Sequence, residues 1–490
     1  MSAANSSALH EDNRIDNWSY LWMGAFLVVG YILFSVVHYL FGALILKGLG
    51  VAVIAGLVFA MVYAVWKKTN SERRTVYLML FISIVIRLCY LILTGQASHE
   101  GADYEIFTQV HTDMTLPEAF QPLYYVVAAA VYNFFGLFRF TQNYSLEVVR
   151  LITEYLGIVS AIATYYILCE IEANDTAVYF GTAMVAFHPG LILLGGEISP
   201  AMTTFTLLVM TMLFMSRWNN YTDGYNFLLM SITFGLAVMT ELSALLFTPV
   251  VAALMAINLV RAVKRKSAVN IMSTAIQSAA GVVIWFLLSF AYPARNYWGS
   301  RDNGLLTLFK DVSANRGSLD FRTRFLSFSP EELFEVFAQP DDRNAWPYWV
   351  KTSLFGTRTV GYPDQLAPVF VAFAAIAAAL MLGVALMVIS NSFSRIDQKK
   401  KVNIWSFISL TVCAVGYYLL VNLGRPETAS MDFKVVPILL VLGITMLGCG
   451  MKVLSIKKKL NFVAQILYFL IVLVTFAFCV LTVLYGILFA

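Results

Sequence analysis

"TVYLMLFISIVIRLCYLILTG" (75–95) decides the fold. The stretch carries one charge, Arg87, and as a helix it is long enough to cross a hydrocarbon core about 30 Å thick. The same pattern recurs along the chain. Apolar runs fall near 19–41, 46–66, 145–168, 177–195, 200–216, 226–240, 242–260, 269–290, 367–390, 402–422, 433–451 and 461–489. Of the 490 residues, 59% are hydrophobic and 13% charged, whereas a soluble domain carries about 25% charged residues. The chain is therefore predicted to be an all-α polytopic membrane protein with thirteen transmembrane helices. The short segments of alternating polarity that build a β-barrel are absent.

Charge sets the expected orientation, because short basic loops stay on the cytoplasmic side. "KKTNSERR" (67–74), "RAVKRK" (261–266), "RIDQKKK" (395–401) and "KVLSIKKK" (452–459) are the basic clusters. Placing all four inside puts the N-terminus in the cytoplasm and the C-terminus outside. It makes "GGEISP" (195–200) external and keeps the whole of 96–144 external. "QPLYYVVAAAVYNFFG" (121–136) then cannot span; it reads as a juxtamembrane helix with its aromatics at the interface. A second external loop, about 291–366, carries nine basic and nine acidic residues, so it is solvated. Its "SPEELFEVFAQP" (329–340) reads as a short amphipathic helix. Loops this long are usually functional. No duplicated half and no pair of Gly/Pro-broken helices marks a transporter site.

Immediately after the opening stretch comes "SHEGADYEIF" (98–107), where His99, Glu100, Asp103 and Glu105 crowd together. Asp103 and Glu197 both sit at external helix ends and could converge on one cavity. Two carboxylates at that boundary can hold a divalent cation such as Mg, Mn or Zn, or one can serve as general base. The alternative for both is plain solvation at a helix end. Glu197 follows "LILLGG" and precedes Pro200, tight against apolar surface. Glu241, at an external hairpin turn, is either a third acidic group or a helix cap. Arg295, Lys351, Arg425 and Lys434 are external cations beside aromatics; they can clamp a phosphate at headgroup depth or snorkel to lipid. Arg87, inside its helix, needs a protein partner or cavity. His99 and His111 are twelve apart on what reads as an irregular loop, a weak metal pattern, and His188 in "AFHPG" reads as packed within its helix.

Several classes drop out. No basic stripe interleaved with aromatics points to nucleic acid. The five cysteines sit in or beside apolar runs without metal-ligand spacing and read as small buried hydrophobes. The first 17 residues lack a signal-peptide pattern, so no cleavage is expected.

With these residues in view, the chain resembles the GT-C glycosyltransferases, and within them the protein O-mannosyltransferases and the lipid A aminoarabinose transferase of bacteria. "ADYEIF…LPEAFQPLYYVVAAAVYNFFG" looks like that family's first external loop, with an acidic residue, a "PPLYY"-like juxtamembrane helix and an arginine opening the next helix, here Arg150. "FHPGLILLGGEISPAMTTFTLLV", "ELSALLFTPV", "YPARNYW", "WPYWVKTSLFG" and "MDFKVVPILLVLG" resemble later segments in the right order, over about residues 75–450. Helices 19–41 and 46–66 precede the resemblance, so 1–74 looks like an N-terminal addition. Residues 75–290 would form the GT-C-like module, 291–366 the second external loop and 367–490 the C-terminal helices.

The resemblance implies a polyprenyl-phosphate-linked sugar as donor, transferred on the external face to a hydroxyl of a glycan, lipid or protein acceptor. It implies Asp103 as the base and Glu197 as the second acidic, metal-binding or orienting position. It makes Arg295, Lys351 and Lys434 the cations beside the leaving phosphate, with Tyr124, Glu241, Glu100 and Arg150 as further substrate contacts. Three departures stand out: Gln121 replaces a usual His or Lys, Lys434 a usual arginine, and Glu241 a common lysine. A transporter or lipid-linked-sugar flippase is the other reading of such a chain.

Overall fold

The computed structural model describes residues 17–42, 71–94, 102–113, 121–137, 142–171, 175–264, 268–300, 321–326, 344–356, 367–391, 398–424 and 428–454, with isolated positions elsewhere. Among them every regular element is helical. The helices are α1 (Asn17–Gly42), α2 (Ser71–Leu93), α3 (Ala102–Asp113), α4 (Pro122–Leu137), α5 (Gln142–Glu170), α6 (Asp175–Phe187), α7 (Pro189–Gly195), α8 (Ala201–Tyr221), α9 (Gly224–Thr240), α10 (Thr248–Lys264), α11 (Ala268–Ser300), α12 (Ala345–Phe355), α13 (Ala367–Asn391), α14 (Gln398–Gly424) and α15 (Ile438–Leu454). Among the described residues six helical spans are long and apolar enough to cross a membrane, or up to seven if the bent α6–α7 pair is one span.

Every apolar run that lies within the described residues is helical. Runs 46–66 and 461–489 lie outside them except at isolated positions, as does "SPEELFEVFAQP". Four expectations are corrected. Residues 102–113, read as irregular loop, form α3. The helix expected to end near 290 continues to Ser300, so "YPARNYW" is helical rather than loop. His188 does not sit within a helix: it stands at a 43° break between α6 and α7. The helix expected from 433 begins at Ile438, after a 3-10 turn at Phe433–Val435.

α8 is the hub, packed along α5 and α9 and touching α14. The outer helices show why the bundle needs a membrane. α11 exposes Met272, Ile276, Val283, Phe286 and Leu287, and α13 exposes Ile376, Leu382 and Leu386. An apolar surface of that extent on long helices is stable only against hydrocarbon. α1 docks on α5, where Tyr31 Oη donates to the Val148 carbonyl at 3.3 Å. A polar clamp joins one end of the bundle. Arg217 pairs with Glu170 at 3.0 Å, Arg261 donates to Asn219 Oδ1 at 2.7 Å, and Asn219 donates to Asn403 Oδ1 at 2.7 Å.

The α6–α7 break follows from "HPG". His188 is extended (φ −66°, ψ 120°), and Pro189 supplies the first helical position, where its missing N–H costs nothing. Gly190 lets α7 touch the backbone of α12. A Cβ at 190 would be driven into the Ser353 carbonyl, and that wall is main chain, which cannot turn aside as a flexible side chain would. Gly190→Ala is therefore expected to destabilise the fold by about 1–3 kcal/mol, the range for overpacking, read as a drop in thermal midpoint.

Candidate functional site

The first part of the site is built by α3 and α4. Ile106, Phe107 and Val110 of α3 pack on Tyr124, Tyr125, Ala128 and Ala129 of α4, and Ile198 joins the same cluster. That packing places Asp103, in the first turn of α3, beside α4. Tyr125 Oη donates to Asp103 Oδ1 at 2.7 Å. Burial pushes both tyrosine hydroxyls well above their ordinary range. The Asp103 charge adds to this for both; Glu197 adds for Tyr124 and Glu241 for Tyr125. Both phenols therefore stay protonated, and Asp103, Glu197 and Glu241 all act on one pair of rings, which meet edge to face at 5.4 Å.

Glu197 is delivered by a buried clamp that ends α7. The last carbonyls of a helix lack intrahelical partners, and here side chains of α5 supply them: Arg150 Nε donates to Gly196 O at 2.7 Å and Thr153 Oγ1 to Gly195 O at 2.6 Å. A cation at a helix C-terminus also suits the helix dipole. Nearer the start of α7, Arg87 Nη1 of α2 donates to Leu191 O at 3.4 Å. Arg87 pairs with Glu154 at 2.5 Å, both with no exposed side-chain surface. Arg150, 1% exposed, also bonds both oxygens of Glu147 and the Thr94 hydroxyl. All three of its guanidinium nitrogens thus have partners within the protein.

Glu241 ends α9 and borders a crevice shared with Thr204, Ser243, Tyr417 and Val435–Ile438. Part of its surface opens to that crevice, but protein rings it. Burial pushes its carboxyl up to about 7; the Ser243 hydrogen bond opposes this, the Asp103 charge adds to it, and Thr204 opposes it. An acid with a raised folded-state value holds a proton that the unfolded chain releases. Stability linked to Glu241 is thus expected to be full below about pH 4.5, to fall as pH rises to about 7, and to level off above. Glu241→Gln should flatten the thermal midpoint against pH across that window.

The second part of the site is α12 with the turns before α15. Asn344 caps α12 by accepting from Trp346 N at 3.0 Å. Gly356 stops it in the left-handed region (φ 66°) that favours glycine. Between them Lys351 is buried, 1% exposed. Thr352 Oγ1 accepts from Phe433 N at 2.9 Å, and Tyr418 Oη bonds the Ala345 and Met431 carbonyls at 2.7 and 2.8 Å. Asp432 Oδ1 accepts from Lys434 N at 3.1 Å. Lys351 and Lys434 therefore lie on interlocked segments. Val435–Ile438 face the Glu241 crevice, while Leu439 and Leu440 face a cavity of about 370 Å³ on the other side.

The structure thus gathers Asp103, Glu197, Glu241 and Tyr124 in one group, and Lys351 with Lys434 in an adjoining layer. His111 turns away from Asp103; its ring meets Tyr132 at 4.4 Å and stacks on Phe107 at 5.5 Å. The side chain of Arg295, and the residues His99, Glu100 and Arg425, lie outside the described residues. Among the described residues no group of three or more His, Cys, Asp or Glu side chains is placed to hold a metal ion. Sequence reasoning missed Glu154, Asp432 and Arg324, the last buried and donating to Asn422 Oδ1 at 3.4 Å. Glu154 had a signal, a carboxylate inside an apolar run; Asp432 and Arg324 had none.

No family model and no curated protein matches the chain. Solved structures do. An oligosaccharyltransferase from Archaeoglobus fulgidus, in complex with Zn and sulfate, aligns with a TM-score of 0.48 at 12% identity, over 83% of this chain and 53% of that one. The archaeal oligosaccharyltransferase AglB, in complex with an inhibitory peptide and a dolichol-phosphate, gives 0.45 at 12% identity, over 86% and 56%. ArnT from Cupriavidus metallidurans, bound to undecaprenyl phosphate, gives 0.35 at 15% identity, over 76% of each chain. The chain spans about half the length of the oligosaccharyltransferases it matches.

Proposed function

We propose that the chain is an integral membrane glycosyltransferase of the GT-C type. It would move a sugar from a polyprenyl-phosphate donor to a hydroxyl of a glycan, lipid or protein on the external face. The observation that carries this reading is the pairing of two layers. Asp103 stands with Glu241 and Glu197 about Tyr124 and Tyr125. Across residues 433–440 lies an apolar cavity bordered by the helix of buried Lys351. A polyprenyl-linked sugar has the matching halves: an apolar chain, an anionic phosphate and a polar sugar.

In this reading Asp103 takes the proton from the acceptor hydroxyl as that oxygen attacks the anomeric carbon. The bond from that carbon to the phosphate oxygen breaks, and the lipid phosphate leaves with the electron pair. A general base must come within hydrogen-bond reach of the proton it takes. Lys351 and Lys434, with Arg295, would stabilise the charge that grows on the leaving phosphate. Glu197 orients the acceptor or the sugar from its clamped position. A divalent cation on Asp103 and Glu197 would need more oxygens than these two residues bring, and the steps above use none.

The test is transfer of labelled sugar from a polyprenyl-phosphate donor by the purified chain, with mass spectrometry of cell-surface glycans and glycoproteins in cells with and without the gene. A missing glycan together with transfer in vitro supports the reading; neither would end it. The broken α6–α7 span is the observation that favours a flippase instead. That reading expects the chain to move the lipid-linked sugar across a vesicle membrane without transferring it.

A further inference from the structure

The 370 Å³ cavity is lined largely by Ala, Met and Leu of α13 and α15, with one face of α12 at its other end. Its α13 wall runs from Ala374 to Ala385, about 16 Å of helix at 1.5 Å per residue. Among its polar lining residues the hydroxyls of Ser353, Thr411 and Thr475 have partners within the protein; His188 and Trp349, at the α12 end, differ. His188 Nδ1 and Trp349 Nε1 are buried, and neither has a hydrogen-bond partner among the described residues. His188 itself is 5% exposed.

These groups are held firmly. His188 is fixed by the break before Pro189, and Trp349 sits in the capped α12. The Phe433 ring contacts both, stacking on His188 at 5.4 Å and tilting against Trp349 at 5.3 Å. A buried polar group in an apolar wall without a partner is unfavourable, and two at one place call for one missing partner. Indole N–H can only donate, so the missing group is an acceptor. His188 can donate as well, in the tautomer with its proton on Nδ1. Trp349 shares its helix with Lys351, and Phe433 is followed by Lys434.

We propose that His188 and Trp349 form a neutral donor pair that recognises the phosphate oxygens next to the lipid chain, so that this cavity selects an isoprenoid phosphate over the matching alcohol. The inference rests on the donor reading above and adds two residues to which the sequence reading gave no substrate role. The two neutral donors meet oxygens at the apolar end, where a cation would be costly to desolvate.

The experiment is a binding titration of the full chain in nanodiscs, with farnesyl phosphate and farnesol as probes. The native chain should bind the phosphate at least about tenfold more tightly than the alcohol, a difference of about 1.4 kcal/mol. His188→Phe and Trp349→Phe keep the rings against Phe433 and remove the donors. Each should weaken phosphate binding about tenfold, equally about 1.4 kcal/mol, and leave farnesol binding unchanged. His188→Gln should restore part of the loss. If the native chain prefers the phosphate and both phenylalanine variants keep that preference, the donor pair is wrong and the donor reading survives. If the native chain shows no preference, the donor reading fails with it. Thermal midpoints of the variants identify any loss that is misfolding, and the second variant then decides.

Discussion

Asp103→Asn is expected to lower sugar transfer by roughly 10²–10⁴-fold, the usual contribution of a positioned acid or base. The substitution is gentle. An asparagine carbonyl still accepts the Tyr125 hydrogen bond, which is 2.7 Å in the native chain. The α3 packing of Ile106, Phe107 and Val110 is untouched. What the amide cannot do is take a proton from an attacking hydroxyl. The loss should therefore fall on the rate at saturating substrate, with donor affinity held within a few-fold. The measurement is initial rates of transfer by purified protein beside an independent donor titration. Asp103→Glu keeps the proton acceptor but moves it by one methylene, and should recover part of the rate. Native-like transfer by Asp103→Asn would remove Asp103 from the chemistry and direct attention to Glu241 or Glu197, whose charges reach the same tyrosine pair.

Much of the fold was legible because span length is a local property: about 20 apolar residues suffice whatever lies beside them. The helix at 121–136 was legible from its apolar, aromatic run, and it is observed as Pro122–Leu137. α3 was not read, although Ile106 with Val110 and Phe107 with His111 keep the i, i+4 spacing of a helix face. Its charges looked like a loop, and only the α4 surface it covers explains its stability. Lys434 was placed at a helix start because "VVPILLVLG" is apolar, but Asp432 caps a 3-10 turn there and the α-helix waits until Ile438, just past Pro437. The partner of Arg87 could not be named at all. Glu154 is 67 residues away, and ion pairing at that separation is a tertiary fact. Likewise nothing in the sequence distinguishes Arg150, expected as a substrate contact, from a residue that holds the Gly196 carbonyl.

The Arg87–Glu154 pair should give the largest effect on stability. Both side chains are wholly buried, so Glu154→Ala leaves a guanidinium without its counter-charge among apolar helices. Removing one partner of such a pair costs about 3–5 kcal/mol, and the thermal midpoint of the purified chain should fall accordingly. The double variant Arg87→Met with Glu154→Leu removes both charges and keeps much of the volume. It should recover most of that stability, because the desolvation burden disappears with the charges. Function should separate the two explanations. Arg87 also donates to the Leu191 carbonyl in α7, the helix that leads to Glu197. A stable double variant would thus lose one tie on that segment, and its transfer rate should remain below native even with the fold restored. If the double variant is both stable and fully active, the pair serves the fold alone, and Arg150 with Thr153 suffices to hold the end of α7 in place.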